Sequence, residues 1–252
     1  MEYIMIFDTE TTSLDKPFCY DVGYSIVNDE SFEVALEKHF VVEQTWHNLP
    51  LFESAYYKEK RPLYIGLMRQ HKTTMNKWGY IMREMARDIK NYNVEHAYAY
   101  NSGFDDKVFT FNCDWFKCMN PLDNVAIHDI WGYATQFITN TLPYKMFCEA
   151  HERYTDTGNY KGSAEVVYQY ITNNPDFVEA HMGLYDSQIE RKILEYCIKE
   201  YNAPLHQDYQ TTRILPRLVP HPFTVKVNGD VIFEGEYIKK YNRNDVWNFT
   251  TT

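Results

Sequence analysis

The chain has 252 residues, 44% of them hydrophobic and 24% charged, which suits one α/β domain with insertions and a core that needs no staples. Its 35 acidic against 25 basic residues give a net charge of −10, which excludes a protein that coats nucleic acid by neutralising many phosphates. A footprint of a few nucleotides stays compatible with that acidity, because bound metal ions supply positive charge locally.

Residues 3–7, Tyr3-Ile4-Met5-Ile6-Phe7, form an apolar run that reads as a buried strand ending just before Asp8 and Glu10. Asp21 to Val27 and Phe32 to Val42 read as two further strands; the second carries Phe32, Val34 and Leu36 at alternate positions. Together the three suggest an antiparallel meander. Residues 44–73 hold Trp46, Pro50, Pro62 and the mixed-charge run Lys58-Glu59-Lys60-Arg61, and read as an irregular insertion or lid. From Met75 to Ile89 the apolar positions 78, 81, 82, 85, 86 and 89 mark a helical stripe. Val94 to Tyr100 is expected as a strand ending at Asn101, with Asp105 opening a helix. A short strand is expected at Val125 to His128, then helices at 130–138, 144–153 and 162–172. Asp186 falls in a last long helix with Ile189, Ile193, Leu194, Cys197 and Ile198 on one face. This order of elements predicts an α/β fold, a mixed sheet flanked by helices. Prolines 204, 216, 220 and 222 precede an alternating stretch, Phe223 to Phe233, centred on Asn228-Gly229. Asn-Gly supplies the two positive-φ positions of a type I′ turn, so a C-terminal β-hairpin is expected. No internal repeat or low-complexity segment occurs.

The five cysteines, 19, 113, 118, 148 and 197, are odd in number and lack zinc-knuckle spacing. They read as free thiols of a reducing compartment. There is no run of about 18 apolar residues and no basic leader, so neither a membrane contact nor a secretory signal is expected and a cytoplasmic location is. Aromatic residues make up 17%, with 22 Tyr; most read as core and surface, and a minority as rings free to stack on bases.

Asp8 and Glu10 are two apart, so on a strand both carboxylates point to one face and can share a pair of metal ions. Carboxylates directly after a buried strand are awkward unless paired or metal-bound. Asp105 also has a plain reading as an acid favoured by a helix N-terminus, and Asp106 competes with it. Asp186 could be an exposed helix residue and His181 a loop or core histidine. Taken in order, these four acids and one histidine match what phosphodiester cleavage by two divalent cations requires, with hard Mg²⁺ or Mn²⁺ preferring oxygen ligands.

Phe7-Asp8-Thr9-Glu10-Thr11-Thr12, Asn101-Ser102-Gly103-Phe104-Asp105 and His181 to Asp186 resemble the three motifs of the DEDD-superfamily 3′→5′ exonucleases, which have a ribonuclease H-like fold. That group includes polymerase proofreading subunits, oligoribonuclease and ribonuclease T. A histidine five residues before the last acid resembles the histidine subtype, DEDDh; the tyrosine subtype would need Tyr at 182, where this chain has Met. Tyr100 stands where the second motif often carries His. The resemblance spans about residues 1–200. It implies an exonuclease domain at 1–203, with 44–73 as its insertion, and an extension at 204–252. It implies two cations, Mg²⁺ or Mn²⁺, with Asp8 bridging both, Glu10 holding one and orienting the terminal 3′-hydroxyl, and Asp105 and Asp186 completing the set. It also implies His181 as general base, and Thr9, Thr11, Leu14 and Asn101 along the nucleotide. Phe104 reads as core or as a base contact, and Asp129 as a structural carboxylate beside the site.

The expected activity is therefore trimming of single-stranded 3′ ends, DNA ahead of RNA, to nucleoside 5′-monophosphates. Two rivals stand beside it. One is an exonuclease for RNA or for very short oligonucleotides. The other is a module on the same fold that docks a polymerase or host factor through the insertion or the C-terminal hairpin.

Overall fold

The computed structural model of the protein describes residues 2–211, 219–227, 230–239 and 247–248. Strand β1 (Tyr3–Thr11) is the central strand of its sheet, and its apolar run explains why. Ile4 and Ile6 point into one core and Met5 and Phe7 into the other, so both faces are covered. β1 runs four residues past the apolar stretch, so Asp8 and Glu10 lie within the strand and not beyond its end. Antiparallel pairing to β2 (Cys19–Asn28) supplies their backbone partners and overrides the polar composition.

β3 (Val34–Val42) pairs antiparallel with β2, which completes the meander. The alternation of Phe32, Val34 and Leu36 does not mark one buried face: Phe32 is buried in the α9-side core and Leu36 packs half-buried on the other. Val34 is exposed, Phe32 precedes the strand with φ 60°, and the buried part of β3 is His39 to Val42.

The segment expected to be irregular at 44–73 is mostly helical. It holds α1 (Glu43–His47), α2 (Leu49–Phe52), a 3-10 turn at Lys58–Lys60 and α3 (Arg61–Arg69). Trp46, Phe52 and Tyr64 pack on Tyr20 and Val41 of the sheet, with the Arg61 guanidinium 4.7 Å from the Trp46 ring. These helices are too short to show a stripe; isolated aromatic anchors hold them instead.

The expected helix from Met75 divides into β4 (Thr74–Asn76), parallel to β3, and α4 (Trp78–Tyr92). β5 (His96–Ala99) and β6 (Ala126–Asp129) continue the sheet in parallel, on either side of α5 (Ser102–Phe116). The strand order is β4-β3-β2-β1-β5-β6. α4 and α5 cover one face, where Trp78, Ile81, Met85, Val108 and Phe109 meet Phe7 and Val22.

The other face is covered by α6 (Ile130–Ala134), a π-helical turn at Thr135–Thr139, α7 (Leu142–Ala150), α8 (Ala164–Ile171) and α9 (Gly183–Tyr201). The chain stays on this core as far as Tyr209. Ala203 is buried, and Leu205 and Tyr209 pack on the same core. The C-terminal hairpin is formed by β7 (Val219–Val227) and β8 (Asp230–Lys239), with β9 (Trp247–Asn248) added to β8. β7 begins early enough to include Pro220 and Pro222, which an edge strand tolerates. The Asn228-Gly229 turn lies outside the described residues.

α9 sits unusually close to the sheet at its first turn. A Cβ on Gly23 would lie 1.8 Å from the Leu184 amide nitrogen, and one on Gly183 2.6 Å from the Gly23 nitrogen. Only glycine lets β2 and the start of α9 touch backbone to backbone. Gly23→Ala is therefore expected to cost roughly 3 kcal/mol, the upper end of ordinary overpacking, because the obstacle is backbone. Chemical denaturation checks this; a loss under about 1 kcal/mol would show that α9 can shift freely.

Candidate active site

Alternation along β1 sends Asp8 and Glu10 to the α9 side of the sheet and Thr9 to the α5 side. Thr9 donates its hydroxyl to Asp105 Oδ1 at 2.6 Å, which ties the first turn of α5 to the strand. Asn101, just before that helix, is left-handed with φ 64°, and the turn it makes aims Asp105 inward while Asp106 stays exposed. On α9, Asp186 Oδ2 accepts from the Met182 amide at 2.7 Å while its own amide donates to the Met182 carbonyl. This reciprocal pair fixes the bend from which His181, at φ 49°, enters the site.

Six carboxyl groups line the resulting cleft: Asp8, Glu10, Asp105, Glu179, Asp186 and Glu190. Glu10, His181 and Asp186 place one ligand atom each within 4.8 Å of one another. Asp186 Oδ1 and Glu190 Oε2 are buried without a hydrogen-bond partner. Burial, then repulsion from Glu190 and Asp105, pushes the Asp8 carboxyl well above the carboxylate range. Burial and Asp186 do the same to Glu10. Burial lifts Asp105 to about 7 despite the Thr9 hydrogen bond, and burial with Glu179 lifts Asp186 to about 8. Burial and the Lys60 ammonium lower His181, which favours the neutral imidazole. Oxygen donors gathered this tightly, with too little cationic charge among them, fit hard divalent cations.

Asp8, Thr9, Glu10, Asn101, Phe104, Asp105, His181 and Asp186 all border this one cleft. Phe104 does so while also packing on the α5-side core. Thr11 and Leu14 do not border it. The Thr11 hydroxyl donates to the Ser13 carbonyl, and Leu14 is 76% exposed on the turn after β1, beyond the bulge between Glu10 and Thr11. Asp129 accepts from the Trp131 and Asn101 amides, capping α6 and holding the turn before Asp105.

Sequence reasoning missed Glu190, Glu179, Tyr57, Lys60, Trp131 and Lys161. Glu190 was findable: four residues after Asp186 on a helix, it faces the same way. The Tyr57 ring stacks on the His181 imidazole at 4.2 Å and 13°, and Lys60 Nζ donates to the Ala180 carbonyl beside it. Both come from the insertion, and neither has a periodic signal.

No family model and no curated protein matches the chain. Solved structures do. The zinc-bound form of Escherichia coli exonuclease I in complex with single-stranded DNA aligns with a TM-score of 0.51 and 14% identity, over 80% of this chain and 41% of that one. Another structure of exonuclease I, one addressing processivity, gives 0.50 and 14% over 79% and 41%. A 3′-exonuclease in a structure of 3′-end recognition of the histone mRNA stem-loop gives 0.50 and 9%, over 99% of this chain and 73% of that one. The chain thus spans about 41% of the length of exonuclease I. At these identities the likeness shows the fold alone, the one these exonuclease structures share.

The raised carboxyls set a pH dependence for the cation-free protein. Between the ordinary value of 3.8 and about 7 to 8, folded Asp105 and Asp186 keep protons that the unfolded chain has released. Stability therefore falls as pH rises through that window. Melting in a chelator is expected to show this fall, and Mn²⁺ to raise the melting temperature most at the alkaline end. A cation-free melting temperature that climbs across the window would contradict the charge cluster.

Proposed function

We propose that the protein is a metal-dependent 3′→5′ exonuclease acting on single-stranded ends. The observation that carries this reading is the convergence of Asp8, Glu10, Asp105 and Asp186, from β1, α5 and α9, on one cleft with buried carboxylate oxygens that lack donors. Buried carboxylates without cationic partners are costly, and Lys60 offsets only part of that cost at Glu10 and Asp186. These four acids would hold two divalent cations, Mg²⁺ or Mn²⁺, which when bound supply an activated water and charge relief at the leaving oxygen.

The chain's own residues position the substrate and move the proton. Glu10, beside Tyr20 at the rim of the acids, orients the terminal 3′-hydroxyl. His181 accepts the proton of the attacking water; its neutral form is the one that can, and burial with Lys60 favours that form. The stack on Tyr57 fixes the plane of the His181 ring. Phe104, Tyr100 and Trp131 offer ring faces along the cleft for one or two bases, which suits the small footprint of an acidic protein. Cleavage of the terminal phosphodiester releases a nucleoside 5′-monophosphate. DNA is the substrate proposed first, because exonuclease I was solved with single-stranded DNA; the histone mRNA structure favours RNA as the second reading.

A time course on matched 5′-labelled single-stranded DNA and RNA with Mg²⁺ or Mn²⁺ tests the proposal. A descending ladder is expected, lost in Asp8→Ala. His181→Ala is expected to slow it by roughly 10²–10⁴-fold, the usual contribution of a general base. In the parent protein the rate should persist below the ordinary histidine range and then fall with acid, and His181→Ala should flatten that limb. Failure to shorten either strand, with the fold intact, would overturn the reading.

A further inference from the structure

Three imidazoles gather on the α9 side of the sheet, away from the carboxylate cleft and outside its lining. They come from separate segments: His96 opens β5, His128 lies in β6, and His206 follows α9. Each offers one ring nitrogen within 4.8 Å of the other two. His96 Nδ1 and His128 Nε2 are 2.9 Å apart, and the His96 and His206 rings stack at 3.8 Å.

Two of the three rings have a nitrogen engaged outside the group. His128 Nδ1 faces Asp208 Oδ1 at 2.8 Å. His206 Nδ1 lies 2.8 Å from the Tyr98 hydroxyl, which also accepts from the His206 amide. A histidine whose far nitrogen is held by a carboxylate or hydroxyl presents the other one in a fixed direction, the arrangement seen around protein-bound zinc. Tyr98 also stacks on His128, so the group is braced from the sheet.

The surroundings favour the neutral form of His96 and His206. Burial, then the neighbouring histidines, lower His96 and His206. Glu95, Glu2 and Asp29 act the other way on these rings, and Asp208 faces His128. Glu2 and Asp29 also place a carboxylate oxygen each within 4.8 Å of a His206 nitrogen, which puts candidate fourth ligands beside the group. A surface groove lined by Glu2, Glu95, His96 and His206 gives solvent a path to it.

We propose that His96, His128 and His206 form a second metal site, for a tetrahedral transition-metal ion of the Zn²⁺ class, separate from the carboxylate cleft. Imidazole ligands select borderline-soft ions over Mg²⁺, which wants oxygen. Zinc–nitrogen bonds of about 2.0–2.1 Å require the nitrogens to draw to roughly 3.3 Å of one another. His96 and His128 are already nearer than that, so His206 makes the adjustment by turning off its stack. Bound there, the ion would clamp residues 203–209 to β5 and β6, a structural role and not a catalytic one.

Cobalt tests this, because tetrahedral Co²⁺ absorbs in the visible far more strongly than the octahedral ion. The full chain carrying Asp8→Ala and Asp105→Asn, to weaken the carboxylate cleft, is titrated with Co²⁺ and then with Zn²⁺. One equivalent of tetrahedral Co²⁺ is expected, displaced by Zn²⁺ and absent in His206→Ala and in His96→Ala. Should those variants unfold, Asp208→Ala, at a side chain 84% exposed, is expected to fold and to weaken Co²⁺ binding roughly 10–100-fold. An absent tetrahedral spectrum, or one that survives His206→Ala and Asp208→Ala unchanged, overturns the site.

Discussion

One fully buried carboxylate, Asp21, joins the parts on which the cleft depends. Its Oδ1 faces His39 Nε2 of β3 at 2.7 Å, while its Oδ2 accepts from the Tyr64 hydroxyl of α3 at 2.5 Å and from the Gly183 amide at 2.9 Å. The sheet, the insertion and the start of α9 thus meet at one side chain. Hydrogen bonds to a charged group are worth roughly 1.5–3 kcal/mol each, and the last also sits at the positive end of a helix dipole. With Gly23 and Gly183 in backbone contact, this junction sets the height of α9 over the sheet. That height decides whether Asp186 and Glu190 reach Asp8, which is a strand residue with no freedom to follow.

The cleft itself works against stability. Acids from β1 and from the first turns of α5 and α9 crowd together with Glu179 and Glu190, and burial with mutual repulsion raises their carboxyls above the ordinary carboxylate range. The apolar faces around Phe7 and Ile6 hold this arrangement in place. Such clustering is a usual mark of a functional site, because unpaired buried carboxylates have little structural use. The insertion contributes at the same point: Tyr57 and Lys60 flank His181, so a segment outside the three motifs shapes the surroundings of that imidazole.

Much of this was legible in the sequence, for physical reasons. The apolar run before Asp8 and the period of 3.6 in α4 and α9 are direct consequences of burial, and they located the central strand and two of the covering helices. The motif acids came from spacing together with family resemblance. What stayed hidden depended on tertiary contact. β1 continues through Asp8 to Thr11 because β2 pairs with it, and the order of the insertion rests on single aromatic anchors such as Trp46 and Tyr64. Leu14 lies off the cleft, exposed on the turn beyond the bulge after Glu10. His96, His128 and His206 are 32 and 78 residues apart in sequence, so only the fold brings them together.

Anomalous diffraction from crystals grown with Mn²⁺ and a nucleoside 5′-monophosphate would test the central claim most directly. Two manganese peaks roughly 4 Å apart are expected, ligated by Asp8, Glu10, Asp105 and Asp186, with the monophosphate between them and His181. An absence of manganese among these acids, with the fold unchanged, would contradict it.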